Sequence, residues 1–352
     1  MSNKWLRWAP AAAAVVVVAG AAIAIPMSAD ATVSLPDKTP QQVLDLVASS
    51  TVTAFSGEIT ETSDLGLPAL PAGASGRSGG SSIASDLSLI TGTNSLRVYV
   101  DGPKNVRLQD LESLGERDVI RHGTDVWVYD SKDNSVGHAT ATQKSGTTYK
   151  SPDAAAPDYT TPDSMAKNLL AKLDTTSTIT VGEATDVAGR SAYKLILTPK
   201  SSDTLVGSVS IAVDAETGLP LGVTVHAKGQ STPAFSIGFT SLSLAKPSAS
   251  LFDFTPPAGA KVTELQKPDN TGTHAKPKTT VTGTGWDAVV TVSAAGSLGE
   301  LSTSSEFAQL TSPVAGGRVL HTSLFNVLFM TDGRVIAGAV PVARLQAVAA
   351  AS

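Results

Sequence analysis

Ser164 and Lys167 stand at the S-x-x-K spacing of a serine nucleophile and its lysine. Lys144-Ser145-Gly146 approximates the K-T-G element that accompanies that pair in penicillin-binding enzymes. The order is inverted, because K-T-G follows the nucleophile in such enzymes. Ser164 therefore reads as a residue in the first turn of a helix, with Lys167 in solvent. Asp214 and Glu216 have the residue types of an acid–base pair, but they run into Thr217-Gly218 and read as a solvated turn. The histidines His122, His138, His226, His274 and His321 are isolated from one another, and none belongs to an HExxH zinc motif. A GxxxxGK[ST] phosphate loop is absent, and the chain has no cysteine. No catalytic residue, metal site or cofactor is assigned.

The informative residues are apolar and alternate. Leu96, Val98 and Val100 oppose Arg97, Tyr99 and Asp101, and Val106 and Leu108 oppose Asn105, Arg107 and Gln109. The same period of two recurs at Phe55-Gly57-Ile59, Val209-Ile211-Val213, Leu221-Val223-Val225 and Phe235-Ile237-Phe239. This is the signature of strands with one apolar and one wet face. The expected apolar lining is Leu96, Val98, Val106, Leu108, Val223, Val225, Phe235, Ile237 and Phe239. Trp127 is added from Asp125-Val126-Trp127-Val128-Tyr129-Asp130, a short strand apolar on both faces that is either core or lining. Two helices accompany these strands. Thr39-Pro40-Gln41-Gln42 and Thr161-Pro162-Asp163 each supply an N-cap and a proline at the first helical position. Two helices cover a long flat meander poorly, whereas a strongly curved antiparallel sheet wraps them and leaves a concave interior for ligand. A sandwich is the alternative.

The wider chain sets the context. With 352 residues, 41% of them hydrophobic, it can build a sizeable core. A net charge of −5 without a basic block argues against nucleic acid as a partner. Lys4 and Arg7, the run APAAAAVVVVAGAAIAI and Ala29-Asp30-Ala31 make residues 1–31 a signal peptide or an N-terminal anchor. Both readings place the rest outside the cytoplasm. Residues 33–263 form the β-rich unit, 264–280 a linker and 281–352 a small α+β module. In that module Leu298–Leu310 reads as a helix, Arg318–His321, Leu324–Thr331 and Arg334–Gly338 as strands, and Pro341 opens a last helix. The Gly- and Ser-rich insertion 64–82 carries Leu65, Leu67 and Leu70, which makes it an expected gate over the cavity mouth.

GTDVWVYDSKDNSV resembles a strand–turn–strand of the LolA-like family of extracytoplasmic lipoprotein and lipid carriers. VAGRSAYKLILTPK, VSIAVDAETGLPLGVTV and FDFTPPAGAKV resemble its later strands and closing segment. The superfamily includes the LppX/LprG lipid-binding proteins and the RseB/MucB envelope-stress regulators. The resemblance spans about residues 33–263 and implies an unclosed half-barrel with helices plugging a hydrophobic cavity. It implies no catalytic residues. The implied function is carriage of a lipid, an acylated protein or another hydrophobic ligand, with a membrane transporter as a further partner. An RseB-like sensor docking a regulatory membrane protein is the alternative. The chain lacks the lipobox cysteine of lipoprotein relatives, and residues 281–352 match nothing in LolA.

Overall fold

The computed structural model describes residues 34–67, 92–112, 115–140, 161–173, 175–265, 279–293 and 305–351. The expected signal segment, Leu70, the loop at 143–160 and most of the linker lie outside these residues.

Helix α1 (Pro40–Ala48) begins as its sequence dictates. The Thr39 hydroxyl accepts from the Gln42 N–H, and the Gln42 side chain accepts from the Thr39 N–H, closing a capping box. Such a cap is worth about 1 kcal/mol. Val43 and Val47 are the buried positions of its apolar face. Helix α2 (Pro162–Leu173) opens on Thr161, whose hydroxyl accepts from the Ser164 N–H while Ser164 Oγ accepts from the Thr161 N–H. Ser164 is thus spent on the helix start, and Lys167 pairs with Asp163 one turn back at 2.9 Å.

The alternating segments form one sheet of twelve strands. These are β1 (Ala54–Ser63), β2 (Gly92–Asp101), β3 (Asn105–Glu112), β4 (Gly115–His122), β5 (Asp125–Asp130), β6 (Ser135–Thr140), β7 (Ser177–Val187), β8 (Arg190–Pro199), β9 (Val206–Asp214), β10 (Pro220–Ala227), β11 (Pro233–Ser243) and β12 (Lys261–Glu264). The order β12-β6-β5-β4-β3-β2-β1-β11-β10-β9-β8-β7 joins two antiparallel meanders through β1 and β11. The sheet is open, with β12 and β7 at its ends. Gly57 sits at the β1–β11 seam, where a Cβ would lie 2.2 Å from the Ser241 carbonyl oxygen. Only glycine lets the two backbones approach this closely.

Two connections break the meander, β6 to β7 by way of α2 and β11 to β12. After β11 the chain crosses the sheet and returns as β12, which pairs parallel with β6. On the way Lys246 meets Asp101 at 3.2 Å, the Leu251 carbonyl accepts from Arg107, and Asp253 lies 3.3 Å from His122. The strap 244–260 therefore covers the outer face of β2 to β5. The two helices lie on the inner face. Ala166 of α2 is fully buried in the core with Val223, Ile237 and Phe239, and Met165, Leu169 and Leu170 pack around it.

The tail adds a second sheet with strands β13 (Thr279–Thr282), β14 (Val289–Ser293), β15 (Thr311–Val314), β16 (Gly317–His321), β17 (Asn326–Met330) and β18 (Arg334–Gly338), ordered β13-β14-β18-β17-β16-β15. Helix α3 (Ser305–Leu310) is the described part of the helix expected at 298–310. Helix α4 (Val342–Ala351) buries Leu345 and Val348 against Val289, Val319, Leu328 and Ile336. The expected strand at 324–331 starts two residues later. The Thr322 hydroxyl donates to the Phe325 carbonyl and the Phe325 N–H donates back to that hydroxyl, which makes 322–325 a turn.

This tail has its own small core but is not set apart, and Leu35–Ser352 form one compact unit. Trp286 is buried within the main core, and its Nε1–H donates to Ser177 Oγ at 2.9 Å. Beside it Gly285 adopts φ +55° and sits so close to Thr176 that a Cβ would meet its hydroxyl at 2.6 Å. The Leu205 N–H and the Thr204 hydroxyl both donate to the Ala339 carbonyl. All these contacts fall at the end of the sheet where β7 and β9 begin.

Candidate ligand-binding face

Register assigns each strand residue to a face, because directly paired residues project to the same side. The row Gly57–Val98–Leu108–Val119–Val128–Gly137 runs from β1 to β6, and Phe55–Val100–Val106–Arg121–Val126–Ala139 lies beside it. On the other side of β1, Ile59 pairs with Phe239, and Val223 pairs with Ile237 and with Ile211. Val225 likewise pairs with Phe235 and with Val209. The structure thus brings Leu96, Val98, Val106, Leu108, Val223, Val225, Phe235, Ile237 and Phe239 onto one face, the inner one.

Burial divides this face in two. On β8 to β11 it is filled by the helices and Trp286, and Leu195, Leu197, Ile211 and Val223 are withdrawn from water. On β2 to β5 the lining is looser. Leu96, Val98 and Leu108 are buried, but Val100, Val106, Val119, Val126 and Val128 keep part of their surface.

Trp127 does not belong to this lining. It pairs with Ile120 and His138, and Ile120 pairs with Arg107, which places all four on the outer face. The Trp127 ring stacks on His138 with centroids 3.9 Å apart and meets Phe254 of the strap at 5.6 Å. The strap explains the misassignment. The outer face of β5 is apolar because Phe254 of the strap packs on Trp127 and Tyr129.

The same outer face holds two ionic groups that no sequence motif announced. His138 Nδ1 lies 2.8 Å from Glu264 of β12 and Nε2 lies 3.1 Å from Asp125. With a carboxylate at each nitrogen the imidazolium is favoured, and the hydrogen bond to Glu264 leads in raising its pKa above the ordinary value of 6.5. Nearby, burial pushes the Asp118 carboxyl up to about 6 against the opposing pull of Arg107, which donates to it. A strand pattern gives residue types but not which ones the strap covers.

Polar groups on the inner face gather toward the tail. Ile59, Leu96, Asp110, Arg117 and Asp130 share one row, and Glu61 lies one step further along β1 opposite Asn94 and Ile237. Arg117 pairs with Asp130 at 3.2 Å. Burial raises the Glu61 carboxyl above its ordinary pKa of 4.5.

The expected gate residues separate. Leu65 is buried, and its carbonyl accepts from the Ser323 N–H at 2.9 Å, while the Asp64 N–H donates to the Ala234 carbonyl. This pins the start of the insertion to the tail and to β11. Leu67 is half-buried, and Leu70 lies outside the described residues. No helix among the described residues is long and apolar enough to cross a membrane.

No family model and no curated protein matches the chain. It is similar to MucB of Pseudomonas aeruginosa, solved in complex with MucA. The identity is 15% over 88% of this chain and 96% of that one, with a TM-score of 0.44. It is similar to a LolA superfamily protein from Nitrosomonas europaea, at 10% identity over 62% of this chain and 99% of that one, TM-score 0.26. It is also similar to an uncharacterized conserved protein from Thermus thermophilus, at 10% identity over 64% and 98%, TM-score 0.35.

Proposed function

We propose that this protein binds a lipid, an acylated protein or another hydrophobic ligand on its inner face, without catalysis and outside the cytoplasm. One observation carries the reading. The apolar rows of the inner face continue past the helices onto β2 to β5, where Val100, Val106, Val119, Val126 and Val128 stay half-buried. Apolar surface left partly in water gains roughly 25 cal/mol per Å² when a ligand covers it. The half-barrel form has geometric support. Cα atoms of β7 and β11 approach within 8 Å, whereas a flat sheet would hold strands four places apart at about 19 Å. Leu67 and Leu70, beyond the anchored Leu65, are the gate residues of this reading, and a membrane transporter is the partner that would load or unload it. The export segment 1–31 supplies the extracytoplasmic part.

The test is organic extraction of the protein purified from its native host, with mass spectrometry of the extract. Stoichiometric lipid or acyl-peptide is expected. Protein that is free of amphiphile and takes up no aliphatic probe would refute the reading.

A regulator that docks a membrane protein is the second reading. Val281 on β13 is 63% exposed and pairs directly with Val290 on β14, itself 37% exposed, at a free edge of the second sheet. Under this reading Val281→Lys abolishes co-purification of one membrane protein without changing the lipid content.

A further inference from the structure

The inner face carries one carboxylate without a partner among the described residues. Glu61 follows Phe55, Gly57 and Ile59 on the inner side of β1, between Ile237 of β11 and Asn94 of β2. Its neighbours along the strand, Ile59 and Ser63, are buried, as is Ile237. Glu61 itself is half-withdrawn from water. The other described charged side chains on the inner face of β1 to β6 all have partners. Arg117 pairs with Asp130 and Arg121 donates to the Gly123 carbonyl, while Asp110 is also engaged.

A carboxylate drawn toward an apolar surface loses hydration, and among the described residues no cation offsets that loss at Glu61. The cost recurs in every ligand-free molecule and is relieved by a cation arriving at that position. The surrounding charge favours the same sign. Among the described residues at this end of the face, Glu61, Asp110 and Asp130 outnumber Arg117. The far end, about 20 Å away along the strand, carries Arg121 in the row of Phe55, Val106 and Val126. An amphiphile lying along the apolar rows therefore meets the unpaired Glu61 carboxylate at the tail end.

We propose that Glu61 is the headgroup-recognising residue of this face and that the ligand is an amphiphile with a protonated amine at its polar end, bound to Glu61 by a charge-assisted hydrogen bond. This deepens the apolar-binding reading and rests on it. An anionic head would stand against a like charge, and an uncharged head would leave the carboxylate unpaired.

The experiment uses the purified full chain preloaded with a neutral fluorescent aliphatic probe, displaced in turn by dodecylamine, dodecanoate and dodecanol. Dodecylamine is expected to compete about tenfold more tightly than dodecanoate, the scale of one hydrogen bond to a charged group. Glu61→Gln removes that preference while dodecanol competes as before, and Glu61→Asp, which keeps the charge, retains most of it. A urea midpoint of Glu61→Gln no lower than that of the parent shows that the fold is intact. Equal competition by amine and carboxylate, or an amine preference that survives Glu61→Gln, overturns the proposal while dodecanol binding leaves the apolar site standing. If no chain displaces the probe and the probe itself does not bind, both readings fall together.

Discussion

Replacing Trp286 by alanine tests whether the tail folds as part of the main core. The side chain is 7% exposed, lies among main-core residues and donates its indole N–H to Ser177 Oγ at 2.9 Å. Truncating a buried tryptophan to alanine costs about 4 kcal/mol in lost transfer energy and cavity formation. The hydrogen bond adds about 1 kcal/mol. A total of about 5 kcal/mol rivals the whole stability of many domains, so the joint should fail before either sheet does. Urea unfolding followed by far-UV circular dichroism is expected to show one transition in the parent and two in Trp286→Ala, with the tail melting first. Trp286→Phe keeps most of the volume and should lose about 1–2 kcal/mol, retaining a single transition. A Trp286→Ala variant that unfolds in one transition, within 1 kcal/mol of the parent, would refute the reasoning.

Three further outcomes follow from named contacts. Val119→Glu places a charge on the half-buried inner face of β4 and should abolish uptake of an aliphatic probe, whereas Trp127→Ala on the outer face should leave uptake unchanged; equilibrium binding by fluorescence separates the two. The His138 pKa is raised, so its contribution is complete below 6.5 and is lost as pH rises through the folded value. Asp118 acts in the same direction, its contribution lost as pH climbs from 3.8 through about 6. Protection factors of the β12 amides, corrected for base-catalysed intrinsic exchange, should therefore fall between mildly acidic and mildly alkaline pH, and His138→Gln should flatten most of that fall at its upper end; parent protection factors unchanged from pH 5 to 8 would contradict this. Gly57→Ala brings a Cβ to 2.2 Å from the Ser241 carbonyl oxygen and should cost about 3 kcal/mol by thermal or urea unfolding, with an unchanged midpoint counting against the close seam.

Much of the inner face was legible before any coordinates. Leu96, Val98, Val106, Leu108, Val223, Val225, Phe235, Ile237 and Phe239 share it because the side-chain period of a strand is two, and one apolar parity fixes a whole segment. The caps at Thr39 and Thr161 were equally plain, since a side-chain acceptor, a proline and a spacing of three are local facts. Trp127 went astray where locality ends. Val126 and Val128 satisfy one parity and Trp127 and Tyr129 the other, and no window around β5 contains the residues that choose between them.

Chief among those residues is Phe254, more than a hundred positions downstream, carried over the outer face by the strap. Glu61 was hidden for the opposite reason. A glutamate in an alternating strand reads as solvent-facing, and only the pairing of β1 with both β2 and β11 shows it on the side of Ile59 and Ile237. That the tail leans on the main domain fits its small size, but only the structure shows the contact, the Trp286 indole beside Ser177. The sequence by itself determined most strands of the large sheet, the apolar parity of those that alternate cleanly and the starts of α1 and α2, because each follows from residues within a few positions of one another. Which face the strap covers, where the tail attaches and which carboxylate is left on the apolar side depend on chain crossings between distant segments, and tertiary packing alone decides these.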